Sequence, residues 1–173
     1  MQFKTLIATA ASLIAFVNAE AAQNYVQFYA ESDIKEINGK GLSSIHEGAA
    51  LNYFFLGEDP EILDYNPETG AISSSLNTGD GQSIDLAFEA SVGSRFPTLQ
   101  VTAGAQTATS WTFEDGYLKG NGSQNFFVAK NTSDPYRYSE KSYQVALFPE
   151  GASTSGFVDV HPIKIKVTQS AVL

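Results

Sequence analysis

Beyond residue 19 no window carries the 3.6-residue apolar spacing of an amphipathic helix, which leaves sheet as the structure this chain can form. It has instead about a dozen short alternating or apolar runs, with turn residues every ~8–12 positions, the pattern of an all-β domain. Tyr25, Gln27 and Tyr29 alternate with Val26, Phe28 and Ala30. Leu51 to Leu56 (LNYFFL) is apolar enough to be buried on both faces. Ile84, Leu86 and Phe88 share one face, as do Leu99 and Val101, and Ser142 to Phe148 makes a further strand. Ile163, Ile165 and Val167 face in while Lys164 and Lys166 face out. The clearest unit is Trp111 to Lys130 (WTFEDGYLKGNGSQNFFVAK). Trp111 and Phe113 alternate with polar residues, Glu114-Asp115-Gly116 turns the chain, and Tyr117-Leu118 returns it. Phe126-Phe127-Val128 opens another strand beyond the Gly120-Asn121-Gly122-Ser123 loop.

Two segments share a pattern of strand, acidic turn with Gly, and return strand: 62–74 (ILDYNPETGAISS) and 111–121 (WTFEDGYLKGN). Their separation is about a third of the chain beyond residue 19, and a weaker counterpart lies between Tyr25 and Leu42. Threefold repetition predicts a β-trefoil; a β-sandwich is the alternative.

The first nineteen residues stand apart. Lys4 precedes the apolar run Leu6 to Val17, and Val17-Asn18-Ala19 has the small-residue pattern of a secretory cleavage site, between Ala19 and Glu20. The run is shorter than the ~20 residues a spanning helix needs. Residues 20–173 then form one domain, large enough for a core of its own. There is no cysteine, so thiol chemistry, disulfides and thiolate-bound metal are excluded. Nineteen acidic residues against ten basic ones give a formal net charge of −9, which disfavours nucleic acid and anionic membrane surfaces as partners.

Asn121-Gly122-Ser123 and Asn131-Thr132-Ser133 are N-glycosylation sequons, both in expected loops. Phe113, Asp115, Gly116 and Leu118, followed by Phe126, Phe127, Val128, Ala129 and Asn131, form a phrase that resembles the folded N-terminal domain of small fungal cell-wall mannoproteins. The segment from Tyr25 to Gly57 is also similar to the start of Candida-type members of that group. The resemblance implies a wall-associated glycoprotein with no enzymatic activity. A secreted monomer without a cofactor is expected, with wall polysaccharide such as glucan or mannan as its partner. Many members end in a Ser/Thr-rich stalk and a tail exchanged for a lipid anchor. Lys164 and Lys166 interrupt the end of this sequence, so no such anchor is expected. Asp80-Gly81-Gln82 echoes a glucan-attachment motif but reads better as a hairpin turn.

A glycosidase needs two carboxylates ~5–10 Å apart in a cleft. Glu58-Asp59, Asp64 with Glu68, and Glu114-Asp115 are the candidates, and all sit in turn sequences where acids are expected for other reasons. His46 and His161 are the only histidines, no G-x-S-x-G elbow occurs, and Asn77, Asp80 and Asp85 do not fit a calcium loop. No catalytic, cofactor-binding or metal-binding residue is therefore expected. A carbohydrate-binding trefoil is the alternative function. Its sugar pocket would be built from Trp111, Tyr117, Asn121 and Gln124, with burial of the Trp111 indole in the core as the competing expectation.

Overall fold

A computed structural model describes residues 23–105 and 109–172. Its twelve strands are β1 (Gln23–Glu31), β2 (Gly41–Gly48), β3 (Leu51–Gly57), β4 (Leu63–Asn66), β5 (Ala71–Asn77) and β6 (Ser83–Ala90), then β7 (Leu99–Thr102), β8 (Trp111–Glu114), β9 (Tyr117–Gly120), β10 (Phe126–Lys130), β11 (Gln144–Leu147) and β12 (Val158–Val172). The only helical turn among the described residues is a 3-10 turn at Tyr138–Glu140. Nine strands close a barrel in the order β1-β4-β5-β6-β7-β3-β11-β10-β12 and back to β1. The all-β expectation is met; the architecture is a barrel rather than a trefoil or a sandwich.

Closure is made by the two ends of the described chain. β1 and β12 pair antiparallel from Gln23↔Val172 to Glu31↔Lys164. Alternation sets which side of each strand is buried. Val26, Phe28 and Ala30 of β1, with Ile163 and Ile165 of β12, enter the barrel, while Lys164 and Lys166 remain exposed. His161-Pro162 does not interrupt β12. Pro162 pairs with Phe127 of β10 before the β1 pairing begins at Lys164, so its missing N–H falls where the other edge is free.

The two segments that look like repeats play different parts. β4 and β5 are wall strands, joined by a four-residue loop in which Asn66 Oδ1 accepts from the Glu68 and Thr69 amides. β8 and β9 lie outside the ring, joined by Asp115 and Gly116 in positive φ and attached to β12 through Tyr117↔Lys166. Their likeness is one of turn chemistry, not of a structural repeat, and this removes the basis for threefold symmetry.

The β8–β9 hairpin completes the core. Trp111 pairs with Gly120 and Phe113 with Leu118, so these residues share the inward face. The Trp111 ring packs 4.6 Å from Phe88, and Phe113 packs 4.8 Å from Tyr65. At Gly120 a Cβ would meet Leu147 Cδ2 at 2.4 Å and the Trp111 ring at 2.6 Å, so only glycine lets the hairpin come this close.

A second layer lies outside the wall. Phe54 enters the barrel, but Phe55 points outward and is buried as well, edge-on to Tyr138 of a strap at residues 131–142. This satisfies the expectation that LNYFFL is buried on both faces. Elsewhere on the outer wall Phe96, Phe148, Phe127 and Phe157 stack edge to face with centroids 5.1–5.9 Å apart. The loops at 91–97 and 149–157 are thereby pinned to β10 and β11.

Candidate functional site

Three loops enclose a hollow of about 730 Å³. They are the β6–β7 connection, the Gly120–Ser123 turn and the β11–β12 connection. Pro97, Leu147 and Phe148 give it an apolar side; Ser91, Ser94, Ser153, Arg95 and Glu150 give it polar groups. Val92, on its edge, is 77% exposed. The Ser91 hydroxyl is shielded from solvent and has no hydrogen-bond partner. Asn121 is part of the wall of this groove. It adopts φ 51°, is exposed, and its Oδ1 accepts from the Ser110 amide at 3.0 Å. Asn131, the other sequon residue, is also exposed with φ 53° and lines a smaller hollow among Asp134, Arg137 and Glu140.

The sugar pocket expected at Trp111, Tyr117 and Gln124 is not assembled. Trp111 is 3% exposed and its indole N–H donates to the Phe88 carbonyl at 2.8 Å. Tyr117 sits on the opposite face of the hairpin because strand alternation puts it there. Its hydroxyl donates to Glu31 at 2.9 and 3.0 Å, and the Lys164 ammonium lies 5.3 Å from its ring. Gln124 belongs to the loop between β9 and β10, where its carbonyl accepts from the Phe126 amide. Burial is thus the outcome for Trp111. The expected cleavage site at Ala19 and Glu20 lies outside the described residues.

The candidate acid pairs are surface features. Glu58 pairs with Lys40, Glu114 pairs with Lys119, and none of the six acids lines the main groove. Asp80 binds the Thr78 hydroxyl and the Gln82 amide; these bonds depress its pKa and make Asn77–Gln82 an ordinary hairpin turn. Among the described residues no group of three or more His, Asp and Glu is placed to hold a metal ion.

Two polar clusters escape a reading of sequence because their members are far apart along the chain. In the first, the Tyr143 hydroxyl lies 2.8 Å from both Glu36 Oε1 and Asp159 Oδ2. Lys130 lies 4.3 Å from the Tyr143 ring and 3.5 Å from Asp159, which also binds His161 at 2.7 Å. Two carboxylates this near each other resemble a glycosidase pair. The phenol between them argues otherwise: burial and the two acids raise its pKa, so it stays neutral and acts as a hydrogen-bond donor. The cluster clamps the 31–40 loop to β10, β11 and β12.

The second cluster fixes the strap. Asp134 is 6% exposed and accepts from the Tyr138 amide at 2.6 Å, the Ser139 amide at 3.0 Å and the Ser139 hydroxyl. Burial disfavours its charge, but the hydrogen bonds from Ser139 and the Tyr138 amide, together with the neighbouring Glu47 carboxyl, outweigh it and hold its pKa below the ordinary value. Glu47 is 4% exposed, and its Oε2 accepts from the Tyr136 amide at 3.0 Å. Burial pushes the Glu47 carboxyl up to about 7, with the Tyr136 amide opposing the rise and Asp134 adding to it. One carboxyl of the pair therefore keeps its proton where the other has lost its own. Tyr53 is pushed up by burial and by the charges of both acids.

Comparison with known proteins gives one consistent answer. The chain is 40% identical over 147 residues to the cell wall protein PGA31 of Candida albicans, covering 83% of this chain and 48% of the relative. It is 33% identical over 146 residues to the cell wall protein RHD3 of the same organism (84% and 66%), and 38% identical over 129 residues to its cell wall protein PGA30 (74% and 44%). The chain thus spans about half to two thirds of the length of these relatives. No family profile matches it. No solved structure matches it. Similarity at this level, over most of the chain and to three proteins of one kind, places it: the chain belongs to a fungal cell-wall protein family.

Proposed function

We propose that this domain is exported and resides in the fungal cell wall as a non-enzymatic glycoprotein with a structural or surface role. The observation that carries the reading is the similarity over more than four fifths of the chain to PGA31 and RHD3, both named cell wall proteins. The side-chain chemistry agrees with it. Of the acids weighed for a glycosidase, Glu58 and Glu114 are paired with lysines, Asp59, Glu68 and Asp115 lie in turns and Asp64 lies within β4, while the close pair at Glu36 and Asp159 is bridged by a neutral phenol. A formal charge of −9 favours a soluble, self-repelling surface.

Fractionation of a fungal host making an epitope-tagged full chain tests the proposal. The tag is expected in the isolated wall and the medium. Release of the wall-bound part by hot detergent would show non-covalent association, and release only by glucanase a covalent link; either agrees with residence in the wall. A cytosolic pool with an uncleaved leader, or hydrolysis of β-glucan, chitin or mannan by the purified chain, would overturn the reading itself.

A further inference from the structure

The groove at 90–97, 120–123 and 147–153 contains its own candidate ligand: an N-glycosylation acceptor stands in its wall. We propose that the first sugars of an N-glycan on Asn121 fold back into this groove and are held there as part of the tertiary structure. The inference rests on the reading of the chain as a secreted glycoprotein and adds where one glycan goes.

The acceptor is preorganised for this. In glycosylation the Asn121 Nδ2 bonds to the anomeric carbon of a lipid-pyrophosphate-linked oligosaccharide; the lipid pyrophosphate leaves and the amide loses one proton. The modified atom is Nδ2, whereas the fold uses Oδ1, which accepts from Ser110. That hydrogen bond survives modification and fixes the root of the glycan. Its neighbours suit a sugar. A pyranose has an apolar face and a rim of hydroxyls, and the groove has Pro97 and Leu147 beside Ser91 and Ser153. At about 730 Å³ it lies within the ~300–1,000 Å³ of small-ligand sites. Two features of the bare chain are relieved by an occupant: Val92, the most exposed of its large apolar side chains among the described residues, and the unpartnered Ser91 hydroxyl. The surroundings of Asn131 differ, with Asp134, Arg137 and Glu140 and no apolar side chain lining the hollow, so a glycan there projects into solvent.

The test is hydrogen exchange on the full chain secreted from yeast, with site occupancy read by mass spectrometry. Exchange is compared with the glycans intact, cut to a single GlcNAc, and removed entirely by an amidase. Amides of residues 91–95 and 151–153 are expected to exchange several-fold more slowly with the Asn121 glycan in place. Asn131→Gln keeps that difference; Val92→Asp abolishes it while Asn121 stays occupied. An unmodified Asn121, equal exchange in all three states, or a Val92→Asp protein that keeps the difference would overturn the inference. A chain with both sequons bare would also remove the glycoprotein reading. A glycan at Asn131 alone, or equal exchange despite a glycan on Asn121, removes only the groove.

Discussion

Trp111→Ala is expected to lower the stability of the domain by about 3–5 kcal/mol, the cost of emptying a large aromatic site in a packed core. The indole is 3% exposed, sits 4.6 Å from the Phe88 ring and donates to the Phe88 carbonyl. Losing it opens a cavity between the hairpin and the barrel and loosens the hairpin that Gly120 lets dock against it. Single domains have a net stability of about 5–15 kcal/mol, so this one change consumes a large share of it. Trp111→Phe keeps most of the packing and loses the N–H, and is expected to cost about 1–3 kcal/mol. Urea denaturation measures both. A Trp111→Ala shift below about 1 kcal/mol would mean an indole on the surface.

The second large effect is on pH. Stability is expected to fall by about 2–3 kcal/mol as pH rises from 5 to 8, with the Glu47–Asp134 pair as the cause. Glu47 titrates at about 7 in the folded chain against an ordinary value of 4.5. Between those values the folded state holds a proton that the unfolded state has released, so raising the pH favours unfolding. Asp134 acts with the opposite sign and lower on the scale. Its depressed pKa stabilises the fold above its ordinary value of 3.8, and that contribution is lost as pH falls through the folded value. The maximum stability attributable to the pair therefore lies between the two titrations. Glu47→Gln keeps an acceptor for the Tyr136 amide and removes the ionisation. Its denaturation midpoint is expected to change little between pH 5 and 8. A Glu47→Gln protein that loses stability over this range as steeply as the parent would show that Glu47 does not set the dependence.

The local structure was legible because local physics determines it. Alternation at Tyr25–Ala30 and Ile163–Val167 gives the observed inward faces, and Asp115-Gly116 makes the tight turn its residues call for. The β2–β3 turn falls within the small-residue run Glu47 to Ala50, but it is tighter than that run suggests: β2 continues to Gly48 and Ala50 takes φ 51°. Closure was hidden. Nothing in residues 23–31 or 164–172 says that these two segments pair, because register between chain ends is a property of the whole sheet. The trefoil expectation failed at the same level: 62–74 and 111–121 share turn residues, and turn residues do not say whether a hairpin lies in a wall or outside it. The polar clusters followed the same rule. Glu47 meets Asp134, and Tyr143 meets Glu36, across gaps that no motif spans. Trp111 was legible only as a choice between core and pocket. The face it shares with Leu118 and Gly120, opposite Tyr117, decides for the core.

At the centre of this account the β8–β9 hairpin is an architectural part of the barrel, and any contact with sugar is made elsewhere. Trp111 is the only tryptophan, so its fluorescence reports on the hairpin alone. The emission of the folded chain is expected to be blue-shifted, resistant to acrylamide and unchanged by soluble β-glucan or mannan. Red-shifted emission, ready quenching, or a saturable change on adding either polysaccharide would place the indole on a binding surface and contradict the account.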